Sequence, residues 1–407
     1  MLTLPEALQA IEVPDRLAVS KLGTWSGCAA KLALESQRSS PALAPLPGGP
    51  AAAKGTLGHR VIEQWMKREG PDDPAELFAL AYERLREELK ADPSRAAFAE
   101  LAEVFGGAEW SGFRAWVIGR CKASGRMPAG LRQGRSFHRG ERREMIGVEV
   151  PLSSESLRIK GRADRIRQLA ADTFEIRDFK TGAVLDDDGE VKDSVALQLQ
   201  AYGLMFLEAR PGAELVLVVD VGNDIRVAFD SAARDRTRER IEAVLTLFPT
   251  AGLHSMGELA TPGPDCLGCG VRHRCSSYLA QAPSWWLAYP DTSARISYDN
   301  WGTITAMNEG ADGINVTLEN AAQRPVRIDR LDRRHGLTSA HLGRTIWLFE
   351  LESPGSGRNF KGQRYHPRVF HELPRDRHER RAWGAQVFLG SDGVQDGPLV
   401  GDVTLHV

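Results

Sequence analysis

The sequence predicts a mixed α/β fold followed by a mostly-β region, and three observations carry that prediction. From about residue 54 to 123 apolar residues recur at helical spacing, between 144 and 182 they follow a strand pattern, and after Pro283 the chain turns to short strand-like runs and glycine turns. At 407 residues the chain is too long for one ordinary core, so two or three domains are expected. With 42% hydrophobic and 26% charged residues, the composition is that of a globular protein.

In chain order, a short element precedes Cys28, and "SSPALAPLPGGP" (39–50) follows as an irregular loop because of its prolines and glycines. "GHRVIEQWMKRE" sets Val61, Ile62, Trp65 and Met66 at helical spacing, and "PAELFALAYERLREELK" repeats the period, so 54–123 reads as three or four amphipathic helices. "EMIGVEVPL" (144–152), "LRIKGRADRIRQLA" (157–170) and "TFEIRDFKTG" (173–182) read as successive strands of a meander. "SVALQLQAYGLMFLEA" (194–209) reads as a helix, "ELVLVVDV" (214–221) as an apolar strand, and 231–248 as a charged helix. A boundary at about 282–291 divides the chain into 1–290 and 291–407, where "RISYDNWGTITAMN", "GINVTLEN" and "GRTIWLFELESPG" are strand candidates. No period of about 20 to 50 residues repeats.

The formal charge of −2 favours no class of partner, but its distribution is uneven. Residues 114–143 hold nine Lys/Arg against one acid, and 321–383 hold fourteen against seven. Such tracts are either solvated faces or phosphate contacts. No apolar run approaches the roughly 20 residues of a membrane span. The N-terminal "MLTLPEALQAIEVPD" lacks the basic and apolar regions of a signal peptide, so a cytoplasmic location and no membrane partner are expected. There is no G-x-x-x-x-G-K-[ST] loop, hence no P-loop motor, and a motor, if needed, would have to be a separate protein.

In "FEIRDFKTG" the strand period puts Phe174, Ile176, Asp178 and Lys180 on one face and Glu175, Arg177 and Phe179 on the other. Alone, Asp178 and Lys180 are an ion pair at a strand end. Asp164 ends the preceding strand, however, and two adjacent strands ending in carboxylates can converge on a divalent cation, which prefers hard oxygen ligands. Lys180 is then placed to orient a water and to neutralise charge growing on a phosphate. His59, near a helix start, can add a nitrogen ligand; Gln198 and Tyr202, four apart, share a helical face; Glu149 by itself is a solvated strand residue.

The ordered series G-x-x-H, E, G-x-x-D, D-x-K-T-G, Q-L-x-x-Y resembles the RecB-type nucleases of the PD-(D/E)XK superfamily over roughly residues 20–282. The matching positions are His59, Glu149, Gly161 with Asp164, Asp178 with Lys180, and Gln198 with Tyr202. The resemblance implies a restriction-endonuclease-like mixed sheet with an N-terminal helical insertion. It also implies phosphodiester hydrolysis dependent on Mg²⁺ or Mn²⁺, held by His59, Asp164, Asp178 and the Phe179 backbone carbonyl. Lys180 would position the attacking water, Gln198 and Tyr202 would line the DNA side, and Glu149 would join the catalytic set. Partners implied are DNA and a separate helicase or defence complex, with exonuclease action in repair, recombination or defence. The alternative is a non-catalytic subunit that grips DNA ends.

Cys266, Cys269 and Cys275 form "CLGCGVRHRC", a C-x2-C-x5-C cluster that in a cytosolic protein reads as metal ligands. Zinc with His273 as fourth ligand is one solution. The resemblance implies another: iron-sulfur RecB-type nucleases, including the nuclease domain of AddB and nucleases of CRISPR adaptation, pair such a cluster with one upstream cysteine. Here that is Cys28, and the four would hold a [4Fe-4S] cluster as a structural staple. Cys121 stands outside the pattern.

Beyond 291 no family is recognised. The interleaved basic and aromatic run "GRNFKGQRYHPRVF" (357–370) suits an OB-like barrel binding nucleic acid, or equally a β-domain with Phe360, Tyr365 and Phe370 in its core that packs on the nuclease or on a partner protein. Arg132, Arg135, Arg139, Arg142 and Arg143, immediately before the nuclease strands, are the better candidates for DNA-backbone contact.

Overall fold

The structure, a computed structural model, describes residues 2–3, 6–23, 27–36, 46, 49–92, 95–126, 145–287, 299–351, 369–372 and 385–390. The N-terminal part contributes β1 (Leu2–Thr3), β2 (Ala10–Val13), β3 (Leu17–Ala18), α1 (Val19–Leu22) and α2 (Ala29–Ser36). The helical segment follows as α3 (Pro50–Met66), α4 (Pro74–Ala91), α5 (Leu101–Phe105) and α6 (Gly107–Ser124). α3 begins inside the stretch read as irregular: Pro50 occupies the first turn, where its fixed φ suits the helix and its missing N–H needs no partner. α4 repeats the device with Pro74 after Asp73, whose side chain accepts the Ala75 N–H at 3.1 Å. Leu57, Val61 and Ile62 of α3 pack with Leu77, Phe78 and Leu85 of α4 in a core of their own, which also buries Cys121, Val148 and Phe179.

The chain then alternates strands and helices: β4 (Gly147–Ser154), β5 (Ile159–Gln168), β6 (Thr173–Phe179), α7 (Asp193–Ala209), β7 (Glu214–Asp220), β8 (Asp224–Val227) and α8 (Ser231–Leu247). β4, β5 and β6 form the antiparallel meander, and α7 is the crossover to β7, which runs parallel to β6. The six-stranded sheet has the order β3-β5-β6-β7-β8, with β4 also on β5. Phe174 and Ile176 of β6 pack with Leu199, Met205 and Phe206 of α7 in the main core, while Phe179 joins the helical core. Helices thus cover both faces of a mixed sheet.

β9 (Gly252–Ser255) pairs with β2, α9 (Met256–Leu259) follows, and α10 (Ser276–Leu287) runs through Pro283. The chain is therefore still helical for four residues past Pro283, where the sequence suggested a turn to strands. The strand-rich part comprises β10 (Asn300–Gly310), β11 (Gly313–Asn320), β12 (Pro325–Leu331), β13 (Thr345–Phe349), β14 (Val369–His371) and β15 (Gln386–Leu389). Its seven-stranded sheet has the order β1-β15-β13-β10-β11-β12-β14, so the first strand of the chain closes one edge. One face packs Ile304, Val316, Ile328 and Leu348 into a separate core that includes Phe370; Trp301, Phe349 and Phe388 pack into the main core instead. Phe360, Tyr365 and most of the basic run around them lie outside the described residues. Among the described residues no helix is long and apolar enough to cross a membrane.

Candidate active site

The site is built where the sheet is left unpaired. β5 carries β4 along one edge; its other edge meets β3 at Ile159–Lys160 and β6 only from Arg165 to Gln168. Between them Asp164 Oδ2 accepts the Phe179 N–H at 2.7 Å, so a carboxylate takes the place of a ladder bond. Gly161 lies in the same gap. A Cβ there would stand 2.7 Å from Cε1 of Tyr202, so only glycine lets the phenol close over the strand. On the other side α3 approaches through Gly58, where a Cβ would meet Thr181 Cγ2 at 2.9 Å. That close approach seats the D-x-K-T turn against the helix carrying His59.

Glu149 has φ 55, a left-handed conformation unusual for a non-glycine residue in a strand. Val148 packs in the helical core and Val150 in the main core, although residues two apart normally share a face. The turn at Glu149 thus swaps the faces of the β4–β5 ribbon. Glu149 and Asp164 lie opposite one another at this crossover, between the pairs Val148–Arg165 and Val150–Ala163. Such strain costs roughly 1–3 kcal/mol and collects at functional sites. Glu149→Gly is expected to melt at or above Glu149→Gln, by about 1 kcal/mol, because glycine removes the strain while both lose the charge. A glycine variant melting well below the glutamine one in calorimetry would refute the strained backbone.

The side chains named from sequence meet at this gap. Lys180 Nζ lies 2.9 Å from Asp178 Oδ2 and donates to Gln198 Oε1 at 3.2 Å. Gln198 Nε2 donates to Asp178 Oδ1 at 3.2 Å and to the Tyr202 hydroxyl at 3.3 Å. His59 Nδ1 is 4.0 Å from Asp164 Oδ2. Lys180 N–H donates to the Asp220 carbonyl on β7 at 3.0 Å, so the trans peptide turns the Phe179 carbonyl away from β7, toward the β5 side. Burial and the neighbouring Asp178 carboxylate push Asp164 well above the usual carboxylate range, against the pull of the Phe179 N–H. Burial lowers His59, favouring the neutral imidazole, and burial with Asp178 raises the Tyr202 phenol. Glu149 is raised by burial and by Glu63, and its carboxylate is 3.6 Å from Arg162.

Among the described residues no three His, Cys, Asp or Glu side chains already form an ion cage. The donor set nevertheless fits a hard divalent cation. Two carboxylates and a neutral imidazole border one gap, a carbonyl turns toward it, and repulsion between the carboxylates is what a cation would relieve.

On the opposite face of β6 lies a polar network. Arg177 bonds to Glu175 at 3.0 Å, Asp220 at 2.6 Å and Asp224 at 2.5 Å, and Arg120 of α6 reaches Asp220 at 2.5 Å. It points away from the gap, as the strand period of "FEIRDFKTG" requires.

The cysteines occupy a second site. Cys28 precedes α2, Cys266 and Cys269 lie on the turn after α9, and Cys275 precedes α10; all four line one pocket. Burial pushes Cys269 up to about 12 and Cys275 up to about 11, and the thiols raise one another further. His273 packs elsewhere: its ring stacks on Phe388 at 6.0 Å and meets Phe349 edge-on at 6.1 Å. Cys28, and not His273, thus shares the pocket with the three cysteines, and a sulfur-only set of this kind would suit a thiolate-bound metal. Cys121 is buried in the helical core.

Sequence reasoning did not find the seat of Thr181 against α3, although the glycine pair in "KGTLGH" is its local signal. Arg132, Arg135, Arg139, Arg142 and Arg143 lie outside the described residues. No curated protein matches the chain. Residues 16–276 match the family model of the PD-(D/E)XK nuclease superfamily, and the chain belongs to that superfamily.

Proposed function

We propose that the chain is a metal-dependent deoxyribonuclease of the RecB type, with an iron-sulfur nuclease domain over 1–290 and a β-rich domain over 291–407. The observation that carries this reading is the hydrogen-bonded set Asp178, Lys180, Gln198 and Tyr202 beside Asp164 and His59 at an unpaired stretch of the sheet. His59, Asp164, Asp178 and the Phe179 carbonyl would hold Mg²⁺ or Mn²⁺. When bound, that ion would supply Lewis-acid stabilisation and ease deprotonation of a water.

The chain's own residues do the rest. Lys180, held between Asp178 and Gln198, orients the attacking water and faces the charge that develops on the scissile phosphate. Gln198 fixes Lys180 and Asp178 together, and Tyr202, kept protonated, offers a neutral donor toward the DNA. Glu149 adds negative charge on the far side of Asp164. Cys28, Cys266, Cys269 and Cys275 would hold a [4Fe-4S] cluster, with Zn²⁺ the alternative. The basic tract Arg132, Arg135, Arg139, Arg142 and Arg143 would follow the DNA backbone. The chain would act as an exonuclease beside a separate helicase or defence complex in the cytoplasm.

The test is digestion of end-labelled single- and double-stranded DNA, linear and circular, in Mg²⁺ or Mn²⁺. The wild type is expected to degrade linear DNA and spare closed circles, and Lys180→Ala to be slower by about 10²–10³. Equal cutting by both proteins would sink the site assignment, and binding without cutting would favour a non-catalytic end-binding subunit.

A further inference from the structure

A buried ion pair ties the cysteine turn to the C-terminal sheet. Arg272 lies between Cys269 and Cys275, lines the thiol pocket and is 1% exposed. Its Nη1 donates to the Cys269 carbonyl at 2.9 Å, while Nε and Nη2 clamp Asp299 at 2.6 and 2.9 Å. Nη2 also reaches the Glu350 carboxylate at 2.6 Å. Asp299 immediately precedes β10 and is 2% exposed; it further accepts the Tyr278 hydroxyl at 2.6 Å and the Glu350 N–H at 3.0 Å. Tyr278 N–H in turn points at Cys275 Sγ at 3.4 Å. One chain of bonds therefore runs from Cys269 through Arg272, Asp299 and Tyr278 back to Cys275.

An ion pair serving only to glue the sheet to the nuclease core could sit anywhere in that interface. This one has its cation in the wall of the thiol pocket and its anion at the residue just before β10 of the C-terminal sheet. A thiolate-bound cluster carries net negative charge, and nearby charge, burial and hydrogen bonds set its retention and potential. We propose that the C-terminal sheet completes the metal-cluster site: Asp299 holds Arg272 beside the thiolates, so the β-rich region is part of the cofactor site and not an appended module. The inference rests on the iron-sulfur reading of the four cysteines.

Full-length wild type, Asp299→Asn and Arg272→Lys, purified without oxygen, test it. The readouts are iron per chain, the rate at which a chelator removes the visible iron-thiolate absorbance, and the reduction potential of the cluster that remains. Asp299→Asn keeps the size of the side chain and Arg272→Lys keeps the charge, so failure of one to fold leaves the other. Both are expected to lose iron about 10–100-fold faster than wild type. Asp299→Asn is also expected to shift the potential, which a purely structural pair would leave unchanged. Asp329→Asn, which breaks an exposed pair with Arg327 on the same sheet, should behave as wild type. A wild type that holds iron, beside variants that hold it equally well at the same potential, overturns the inference alone. A wild type that holds no iron overturns the cluster reading, and the inference with it.

Discussion

Asp178→Asn is expected to cut DNA in Mg²⁺ at about one-thousandth of the wild-type rate or less, with a melting temperature equal to or above that of wild type when both are measured in chelator. Asparagine keeps the shape of the side chain and an oxygen to accept from Gln198 Nε2, now at 3.2 Å, so the local packing survives. What disappears is the negative charge opposite Asp164 and 2.9 Å from Lys180 Nζ. On the proposed reading a cation would then lose a ligand, and Lys180 would lose the partner that aims it. A loss of about 10³ corresponds to about 4 kcal/mol of transition-state stabilisation, in the range of one preorganised electrostatic group.

The stability half of this prediction follows from the two carboxylates. Asp178 raises the proton affinity of buried Asp164, which means the metal-free fold carries their repulsion. Removing one charge relieves it. A residue whose loss abolishes activity and leaves or improves stability belongs to a site maintained for chemistry at the expense of the fold. An Asp178→Asn protein that cuts at a near-wild-type rate would remove Asp178 from the site. One that is inactive and strongly destabilised would recast it as a structural residue.

Several of these features were legible in the sequence because they follow local rules. The helical period from residue 54 onward, the strand period around Phe174 and Ile176, and the apolar β7 each carry their own pattern, and the D-x-K motif closes β6, with Lys180 just past its end and Arg177 turned away. Pairing partners far apart in the chain leave no such trace. Nothing in "MLTLPEALQ" announces that Leu2–Thr3 joins β15, and nothing in the cysteine run announces that Arg272 is matched by Asp299. The left-handed turn at Glu149 was hidden because glutamate is the wrong residue for it on propensity grounds, which is the kind of local conflict functional sites impose. Pro283 misled in the opposite direction: α10 continues through it, so a proline alone did not mark the helix end.

Asp220→Ala is expected to destabilise the protein by about 3–5 kcal/mol in urea titration, the cost of stranding buried guanidinium groups. Asp220 is fully buried. Its side chain accepts from Arg120 at 2.5 Å, from Arg177 at 2.6 Å and from the Gly222 N–H at 3.2 Å. Asp224 covers part of Arg177 but is itself half exposed, so it cannot replace the charge that is removed. The same change reaches the site, because the Asp220 carbonyl holds the Lys180 N–H at 3.0 Å and fixes the end of β6.

The network also has a pH signature. Burial alone would raise Glu175, but hydrogen bonds from Arg177 and Arg167 overcome it and bring the group down to about 2. A depressed carboxylate stabilises the fold fully above its unfolded value near 4.5, and that contribution is lost as pH falls toward about 2. Asp220→Ala should therefore unfold at a higher pH than wild type during acid titration, since less stability remains to be lost. A cost below about 1 kcal/mol would instead mean that water reaches these groups and the pairs count as surface salt bridges. In that case the rigidity of the β6 end would have to come from Phe179 in the helical core and from Thr181 against α3, and Gly58→Ala would become the more damaging substitution.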